Sequence, residues 1–253
     1  MNPSSTQVLW SEPVAGCIVL SLNRPERGNA LSASLVQALD DAIDRAEALQ
    51  PQLVVLRGEG RHFCTGFDLS DLQAETDDSL LARFTRVELM LQRLYHATFP
   101  TLALAHGRTL GAGADLFCAC NDRWILGDAS FAFPGAGFGL VLGTRRLAQR
   151  VGTGRAQGWI ESGAIIDADS ALTSTLATSR LQPDALQSAI DDLLKRKTRL
   201  DADTRRAIHQ VVAAPTEGMQ LASAADLAQL VRSAARPGLK GRIERYRALQ
   251  LRS

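Results

Sequence analysis

Short apolar runs and amphipathic stretches alternate along the N-terminal half of the chain. Residues 14–22 are rich in strand-forming side chains and predict a β-strand that ends at a proline-containing turn. The fully apolar run at 53–56 predicts a second, buried strand. Between them, apolar residues recur at helical spacing after Ser32, a residue type that caps helix N-termini. This strand–helix–strand order with short connections indicates a right-handed crossover between parallel strands.

The same alternation extends through the middle of the chain, after which helical patterns dominate. Beyond Thr144 the chain is mostly helical, and from Pro183 onward it is rich in Ala, Leu and Arg. No internal repeat or flexible linker is evident, so we predict one α/β unit with a core at residues 1–195 and a C-terminal helical region at 196–253. The remaining predicted elements are, in order, a helix that opens at residues 77–79, a strand at 100–105, a helix at 111–120, strands at 124–126 and 131–133, and a strand at 175–179.

The composition is that of an ordinary globular chain and argues against several classes of partner. Of the 253 residues, 45% are hydrophobic and 22% are charged, and the net charge of +1 gives no reason to expect nucleic acid or a membrane surface. No apolar run approaches the ~20 residues that span a bilayer, and residues 1–6 do not begin a signal peptide. The four histidines and four cysteines show neither metal-ligand spacing nor a disulfide framework. We therefore predict a cytoplasmic protein without a bound metal.

Two glycine-centred segments carry the strongest chemical signal in the sequence. Cys64–Asp68 and Leu110–Asp115 each follow an apolar run, and each precedes a stretch that can begin a helix. Glycine lets the backbone approach a ligand closely, and the first N–H groups of a helix have no partner within the helix. Two such turns facing one another would aim two free N–H donors at one point. This geometry holds a carbonyl oxygen that becomes negatively charged during a reaction.

These two segments and two others resemble the crotonase (enoyl-CoA hydratase/isomerase) superfamily. Leu22–Ser32 is similar to the stretch that lies against coenzyme A in that family, Phe63–Leu69 to its first oxyanion segment, and 105–122 to its second. Residues 144–152 resemble the helix that follows the family's second catalytic acid. The four segments cover roughly residues 14–180 in the family's order, which is far more specific than any one of them.

The resemblance implies an α/β fold with a ββα superhelix core, whose C-terminal helices assemble homo-trimers or hexamers (dimers of trimers). It also implies an acyl-CoA thioester as the substrate, with coenzyme A as part of that substrate and with no prosthetic group. The family's two oxyanion N–H groups fall on Phe67 and Ala112. The ring of Phe67 is larger than the side chain common at that position, so we expect it to wall the acyl pocket as well.

Coenzyme A contacts are implied along the same segments. The lysine that often follows the first oxyanion segment is replaced by Ser70, and the basic residues at 240–247 are candidates for the missing phosphate contact. Matched residue by residue, the remaining contacts fall on Arg24, Arg27, Asn29, Ala30, Leu31, Gly66, Asp68, Leu69 and Gly111.

Asp115 is the carboxylate that we predict to be catalytic. It comes three residues after Ala112, so the two residues share one face of a helix. The family commonly has Glu at this position, and some of its isomerases have Asp. An acidic residue in a first helical turn is also favoured by the helix dipole alone, which leaves a purely structural role open.

The family's second acid is absent from this sequence. In the hydratases a glutamate follows a proline after a phenylalanine-containing strand, whereas here Pro134 is followed by Gly135 and residues 130–149 contain no acid. Hydration by this mechanism uses one carboxylate for the water and one for the carbon, but double-bond isomerisation needs only one shuttling carboxylate. We therefore predict an enzyme of the enoyl-CoA hydratase/isomerase type in which Asp115 favours isomerisation, with Pro134 and Gly135 lining the pocket.

Other interpretations of the same residues stay open. A water-mediated acid would allow thioester hydrolysis, decarboxylation or carbon–carbon cleavage, and loss of the second acid is consistent with a non-catalytic acyl-CoA-binding homologue. His62 and His106 flank the glycine turns and are further titratable candidates, besides Asp68. Residues 111–116 contain no Ser, Cys or Thr, which excludes the nucleophile of the Clp-type serine peptidases, a group of similar fold. The glycines at 135–139 lack the spacing of a dinucleotide-binding loop.

Overall fold

A six-stranded sheet organises the protein. The computed structural model describes residues 7–197, 199–201, 204, 207, 208, 211 and 217–250. The strands lie side by side in chain order, and the first pair is antiparallel whereas every later pair is parallel. In that order they are β1 Val8–Val14, β2 Cys17–Leu22, β3 Leu53–Gly58, β4 Thr101–Leu110, β5 Asp122–Ala132 and β6 Ser179–Leu181.

Helices connect the parallel strands, as parallel pairing requires, and extend the chain beyond the last strand. In the described residues they are α1 Ala33–Leu49, α2 Asp77–Tyr95, α3 Ala112–Ala119, α4 Thr144–Val151, α5 Thr153–Ser162, α6 Ala168–Thr173, α7 Leu186–Lys197, α8 Glu217–Ala234 and α9 Leu239–Gln250. Short 3₁₀ turns occupy Pro25–Arg27, Leu72–Ala74, Pro134–Phe138 and Pro183–Ala185.

Local capping signals explain where the first two helices begin. The Ser32 hydroxyl accepts a hydrogen bond from the Leu35 amide (3.1 Å), so it caps α1 as predicted. α2 begins at Asp77, also as predicted, and the Thr76 hydroxyl caps it by accepting from the Ser79 amide (3.1 Å). In both helices a side-chain oxygen satisfies one of the amides that the first turn leaves without a partner.

The strand predicted at 14–22 is confirmed from Cys17 to Leu22, but its N-terminal bound was wrong, because Val14 ends a separate, antiparallel strand. β1 ends at Val14, and the chain turns through Gly16, whose φ of +76° favours glycine, before β2 begins at Cys17. β1 lies at the edge of the sheet with most of its side chains exposed, so its sequence has little hydrophobic pattern to detect.

Three later predicted strands also had the wrong bounds. The strands predicted at 124–126 and 131–133 are one long strand, β5, which keeps its pairing with β4 through a register shift. The strand predicted at 175–179 begins only at Ser179, because the preceding residues form a turn after α6.

The C-terminal helices pack against α2. Leu230 of α8 and Leu239 of α9 are buried in one apolar cluster with Leu80 and Phe84 of α2. Residue 196, where the core was divided from the C-terminal region, lies inside α7, and that division stays a prediction. Part of the C-terminal region lies outside the described residues.

Asp77 ties the last helix to the start of α2. Its carboxylate accepts hydrogen bonds from the amides of Gly238, Leu239 and Lys240 at 2.8, 3.1 and 2.8 Å. These bonds, above all the one from Lys240, hold the pKa of the Asp77 carboxyl below its ordinary value. The N-terminus of α9 is therefore fixed at the start of α2.

Two features are absent from the described part of the chain. No helix there is long and apolar enough to cross a membrane. No group of three or more His, Cys, Asp or Glu side chains in the same residues is arranged to hold a metal ion.

Candidate active site

The first glycine turn leaves one backbone amide unpaired. The Leu31 amide donates to the Gly66 carbonyl (2.7 Å), and the Asp68 amide donates to the Leu31 carbonyl (3.2 Å). The Phe67 amide lies between these two bonds, points away from residue 31, and has no acceptor within the described residues. Gly66 has a φ of +99°, and a Cβ there would lie 2.7 Å from the Leu110 carbonyl oxygen, so only glycine fits.

The second glycine turn lies against the first. The Gly111 amide donates to the Ala132 carbonyl (2.8 Å), and α3 begins at the next residue. The Ala112 amide, in the first turn of α3, has no acceptor among the residues that the structure describes. A Cβ on Gly66 would lie 3.6 Å from the Ala112 nitrogen, so the two unpaired amides come from adjoining turns.

Only the second of these turns leads into an α-helix. The expectation that both do was wrong for Cys64–Asp68, which is followed by the short 3₁₀ turn Leu72–Ala74. The amide of Phe67 is left free because residue 31 pairs with its neighbours instead, so a helix start is not the only local structure that exposes a donor.

One apolar cavity of about 150 Å³ joins most of the predicted site residues. Phe84, Phe133 and Phe138 supply much of its wall. Asp115 is the only carboxylate among the described residues that line it. The predicted residues that border this cavity are Gly66, Phe67, Leu69, Gly111, Ala112, Asp115, Pro134 and Gly135.

Asp115 is buried and lacks a hydrogen-bond partner at one oxygen. Asp115 is 3% exposed, and its Oδ1 has no hydrogen-bond partner within the described residues. That oxygen lies against Gly143, where any Cβ would overlap the carboxylate. Burial raises the pKa of Asp115 to about 8, with the positive charge of Arg146 opposing the shift and the negative charge of Glu88 adding to it. A carboxyl group with a pKa in this range is suited to both accepting and returning a proton near neutral pH.

A buried ion pair behind Asp115 was missed by the sequence analysis. Glu88 of α2 accepts two hydrogen bonds from the Arg146 guanidinium of α4, at 2.8 and 2.5 Å. Their side chains are 2% and 5% exposed. The detectable signal was an acid at a position that helical spacing places on the buried stripe of α2, between Val87 and Leu91. The partner was not detectable, because it comes from another helix.

Breaking this pair from one side is expected to destabilise the protein strongly. Glu88→Gln leaves the Arg146 charge buried without its counterion, which typically costs about 3–5 kcal/mol of unfolding free energy. Replacing both partners with apolar residues, as Glu88→Leu with Arg146→Met, is expected to cost much less. Urea unfolding of the single and double variants measures both values. A cost below about 1 kcal/mol for Glu88→Gln would contradict the pairing.

Several residues predicted to contact coenzyme A form hydrogen bonds with one another and with neighbouring segments. Arg24 donates through Nη1 to the Asp68 carboxylate (2.8 Å) and to the Ala30 carbonyl (2.6 Å). The Asn29 side-chain amide donates to the carbonyls of Glu59 (2.8 Å) and His62 (2.7 Å). These contacts hold residues 29–31 next to the first glycine turn, where the segment is buried and its backbone groups are themselves hydrogen-bonded.

Asp68 is ionised within this network. Burial disfavours its charged form, but hydrogen bonds from the Ser70 amide and from Arg24 hold the pKa of the carboxyl below its ordinary value. Arg27, by contrast, lies exposed at the end of the 3₁₀ turn Pro25–Arg27.

The two histidines next to the glycine turns do not border the cavity. His62 accepts a hydrogen bond from the Arg108 amide at Nδ1 (3.1 Å), and burial together with the charge of Arg108 lowers its pKa. His106 bonds through Nε2 to the Gly60 carbonyl (2.9 Å). The Cys64 thiol donates to the Asn29 carbonyl (3.1 Å), and burial raises its pKa to about 12, so it is not a reactive thiol.

A match to a protein-family model agrees with the family resemblance that the site residues indicate. The model for enoyl-CoA hydratase/isomerase matches residues 12–236, and the chain therefore belongs to that family. The resemblance and the crotonase-like α/β fold predicted from the sequence are confirmed.

Particular relatives agree with the family. The crystal structure of a protein from Bordetella parapertussis, assigned as an enoyl-CoA hydratase/isomerase, is 40% identical, covers 96% of this chain and 99% of its own, and superposes with a TM-score of 0.89. The crotonyl-CoA hydratase of Syntrophomonas wolfei is 30% identical over 80% of this chain and 78% of its own length. A probable enoyl-CoA hydratase of Mycobacterium leprae is 34% identical over 64% of this chain. That match spans 66% of the mycobacterial protein, just under two thirds of its length.

Proposed function

We propose that this protein shifts the double bond of an enoyl-CoA, with hydration as a much slower reaction. The observation that carries this proposal is one cavity that, among the residues the structure describes, is bordered by two unpartnered amides, those of Phe67 and Ala112, and by a single carboxylate, Asp115. Family membership supports an acyl-CoA thioester as the substrate. The relatives' names include hydratase and isomerase activities, and the lack of a second carboxylate favours the isomerase.

In the proposed reaction the two amides donate hydrogen bonds to the thioester oxygen. Ionised Asp115 takes a proton from the carbon next to the carbonyl, and the electron pair of that C–H bond moves towards the oxygen, which becomes an oxyanion. Protonated Asp115 then delivers the proton to the far end of the original double bond. The oxyanion returns to a thioester, and the double bond is left in conjugation with it. The proton removed is the proton returned, so no further group is consumed.

The coenzyme A portion of the substrate is proposed to lie along the segment that contains Ala30 and Leu31. The bonds among Arg24, Asn29 and Asp68 support this by fixing that segment beside the first glycine turn. Arg27 and the basic residues of α9 supply positive charge for the phosphates. The chemistry asks for no prosthetic group and no metal.

We also propose a cytoplasmic homo-trimer or a hexamer made of two trimers. The C-terminal helices support this assembly, because α8 exposes Leu221 to 66% and α9 exposes Leu249 to 64% in the single chain. Mass determination in solution distinguishes the two assemblies from a monomer.

A second candidate function is non-catalytic binding of an acyl-CoA. The observation in its favour is Gly135, which contributes no side chain at the position of the hydratases' second acid. The same site would then hold the thioester without converting it. Thioester hydrolysis, decarboxylation or carbon–carbon cleavage would each need an acid that acts through a water molecule, and Asp115 would have to be that acid.

An assay with matched substrates tests the proposal. We expect the purified protein to convert a 3-enoyl-CoA into the conjugated 2-enoyl-CoA faster than it hydrates crotonyl-CoA. A single acid–base group is worth about 10²–10⁴-fold in rate, so the two rates should differ by that order. Absence of any turnover, with tight binding of the same compounds, would establish the binding function instead.

A further inference from the structure

The ring of Phe67 stands between two cavities. On one side is the acyl cavity of about 150 Å³, which also contains Asp115. On the other is a cleft of about 130 Å³ between α1 and α2, bordered by Ala33, Val36 and Val87 among others. Phe67 borders both spaces, and no other described residue that lines the cleft also lines the acyl cavity. Its side chain is therefore a partition.

Two neighbours hold the partition in place. The ring stacks on Phe84 with centroids 4.0 Å apart and planes 21° apart, and the Arg83 guanidinium lies 4.3 Å from its centroid. Arg83 is itself fixed by an ion pair with Glu75 and by a hydrogen bond to the Asp68 carbonyl (3.0 Å). Stacking and cation–π contacts of this kind each add to the burial of the ring, so the ring has one preferred position.

The wall continues away from Phe67 as a row of aromatic rings. Phe84 contacts Phe138 with centroids 6.4 Å apart, and Phe138 contacts Tyr246 of α9 at 5.5 Å. Gly137 lies beneath Tyr246, where a Cβ would overlap the ring. These rings line the acyl cavity, and the Phe67 ring separates that cavity from the cleft.

We propose that Phe67 sets the upper limit of acyl-chain length, so that this protein takes acyl-CoA thioesters with short acyl groups of about four to six carbons. The inference rests on the proposed function, in which the acyl group enters this cavity. An apolar cavity of ~150 Å³ holds one benzene molecule, which fixes the size of the group that fits. Without the ring, the cleft of about 130 Å³ would join the cavity and nearly double the available space.

Binding of saturated acyl-CoA thioesters tests this limit without turnover. Calorimetry with chains of four to twelve carbons is expected to show wild-type affinity rising about four-fold per methylene group, as far as about six carbons, and then no further. In Phe67→Ala the rise should continue to about ten carbons. The ten-carbon thioester should then bind on the order of 10²-fold more tightly to the variant than to the wild type. An unchanged limit in Phe67→Ala would overturn the inference.

Two further variants identify the cause of a shift. Ala33 is exposed at the start of α1 and borders only the cleft, so Ala33→Leu narrows the cleft without touching the acyl cavity. Added to Phe67→Ala, it should move the limit back towards six carbons, and alone it should leave the limit unchanged. Phe67→Leu, which keeps part of the partition, should give an intermediate limit and replaces the alanine variant if that variant does not fold.

The outcomes also separate this inference from the function on which it rests. Wild-type protein that binds short thioesters, with variants that show the same limit, refutes the role of Phe67 alone. Wild-type protein that binds no acyl-CoA of any length refutes the proposed function and this inference with it. Free coenzyme A, titrated in parallel, shows whether a variant alters the binding of the carrier instead of the acyl chain.

Discussion

Asp115→Asn is expected to abolish double-bond isomerisation while the affinity for coenzyme A stays nearly unchanged. Asparagine keeps the size of the side chain in a site where Gly143 leaves no spare room, but it cannot take up the substrate proton. Loss of an acid–base group of this kind costs about 10²–10⁴-fold in rate. Steady-state turnover and calorimetric titration with free coenzyme A, on one sample, measure the two quantities.

Asp78→Asn is the matched control for a role in helix stability. Asp78 also lies in the first turn of a helix, α2, but it is exposed and does not border the cavity. Its replacement should cost about 0.3–1 kcal/mol of stability and no activity. If Asp115→Asn behaved in the same way, Asp115 would be a helix-end residue and the catalytic assignment would be wrong.

The pH dependence of wild type and Asp115→Asn gives an independent check. Asp115 has a pKa of about 8 when folded and an ordinary value near ~3.9 when unfolded. Between these values the folded chain holds a proton that the unfolded chain has lost, so the contribution of this group to stability is complete below pH ~4 and is lost as the pH rises through about 8. Unfolding measured across this range should show the loss in wild type and not in the variant. Turnover, which needs the carboxylate, should rise over the same interval towards pH 8.

The parts of the fold that the sequence could predict depend on interactions between residues close together in the chain. Ser32 and the glycines at 66 and 111 act on their immediate neighbours, so their effects on capping and turn formation are visible in a short window. β1 was missed because an exposed edge strand carries no core-facing alternation. The boundaries of β5 were missed because its register with β4 shifts after Ile125, and the pairing that resumes at Ala129 depends on β4 and not on local propensity.

Contacts between distant segments account for what could not be predicted. Glu88 and Arg146 are 58 positions apart, and Asp77 is 161 positions from the amide of Gly238. Neither pairing follows from spacing, because each depends on how two helices pack. The electrostatic surroundings of Asp115 belong to this group, so the sequence could nominate the carboxylate but not the direction of its pKa shift. The assignment of the site residues to substrate contacts stays a prediction.

Gly135→Glu is expected to increase crotonyl-CoA hydration by about 10²–10⁴-fold, the usual contribution of an acid–base group. The backbone leaves room for the first side-chain atom, because a Cβ at residue 135 would meet only Leu140, at 3.6 Å or more, which is ordinary van der Waals contact. Residue 135 borders the same cavity as Asp115, so the new carboxylate would share the space in which water and the double bond must meet. Initial hydration rates of wild type and variant, compared at equal enzyme concentration, measure the gain.

Gly135→Gln separates the chemistry of this change from its shape. Glutamine has nearly the same size and restricts the unfolded chain in the same way, but it transfers no proton, so hydration should stay at the wild-type rate. In Gly135→Glu the added negative charge should also raise the pKa of Asp115 further, since two carboxylates that share a site disfavour each other's ionised form. Its isomerisation rate should then reach its maximum at a higher pH than in wild type. Equal hydration by the glutamate and glutamine variants would show that the missing second acid is not what limits hydration, and the preference for isomerisation would need another cause.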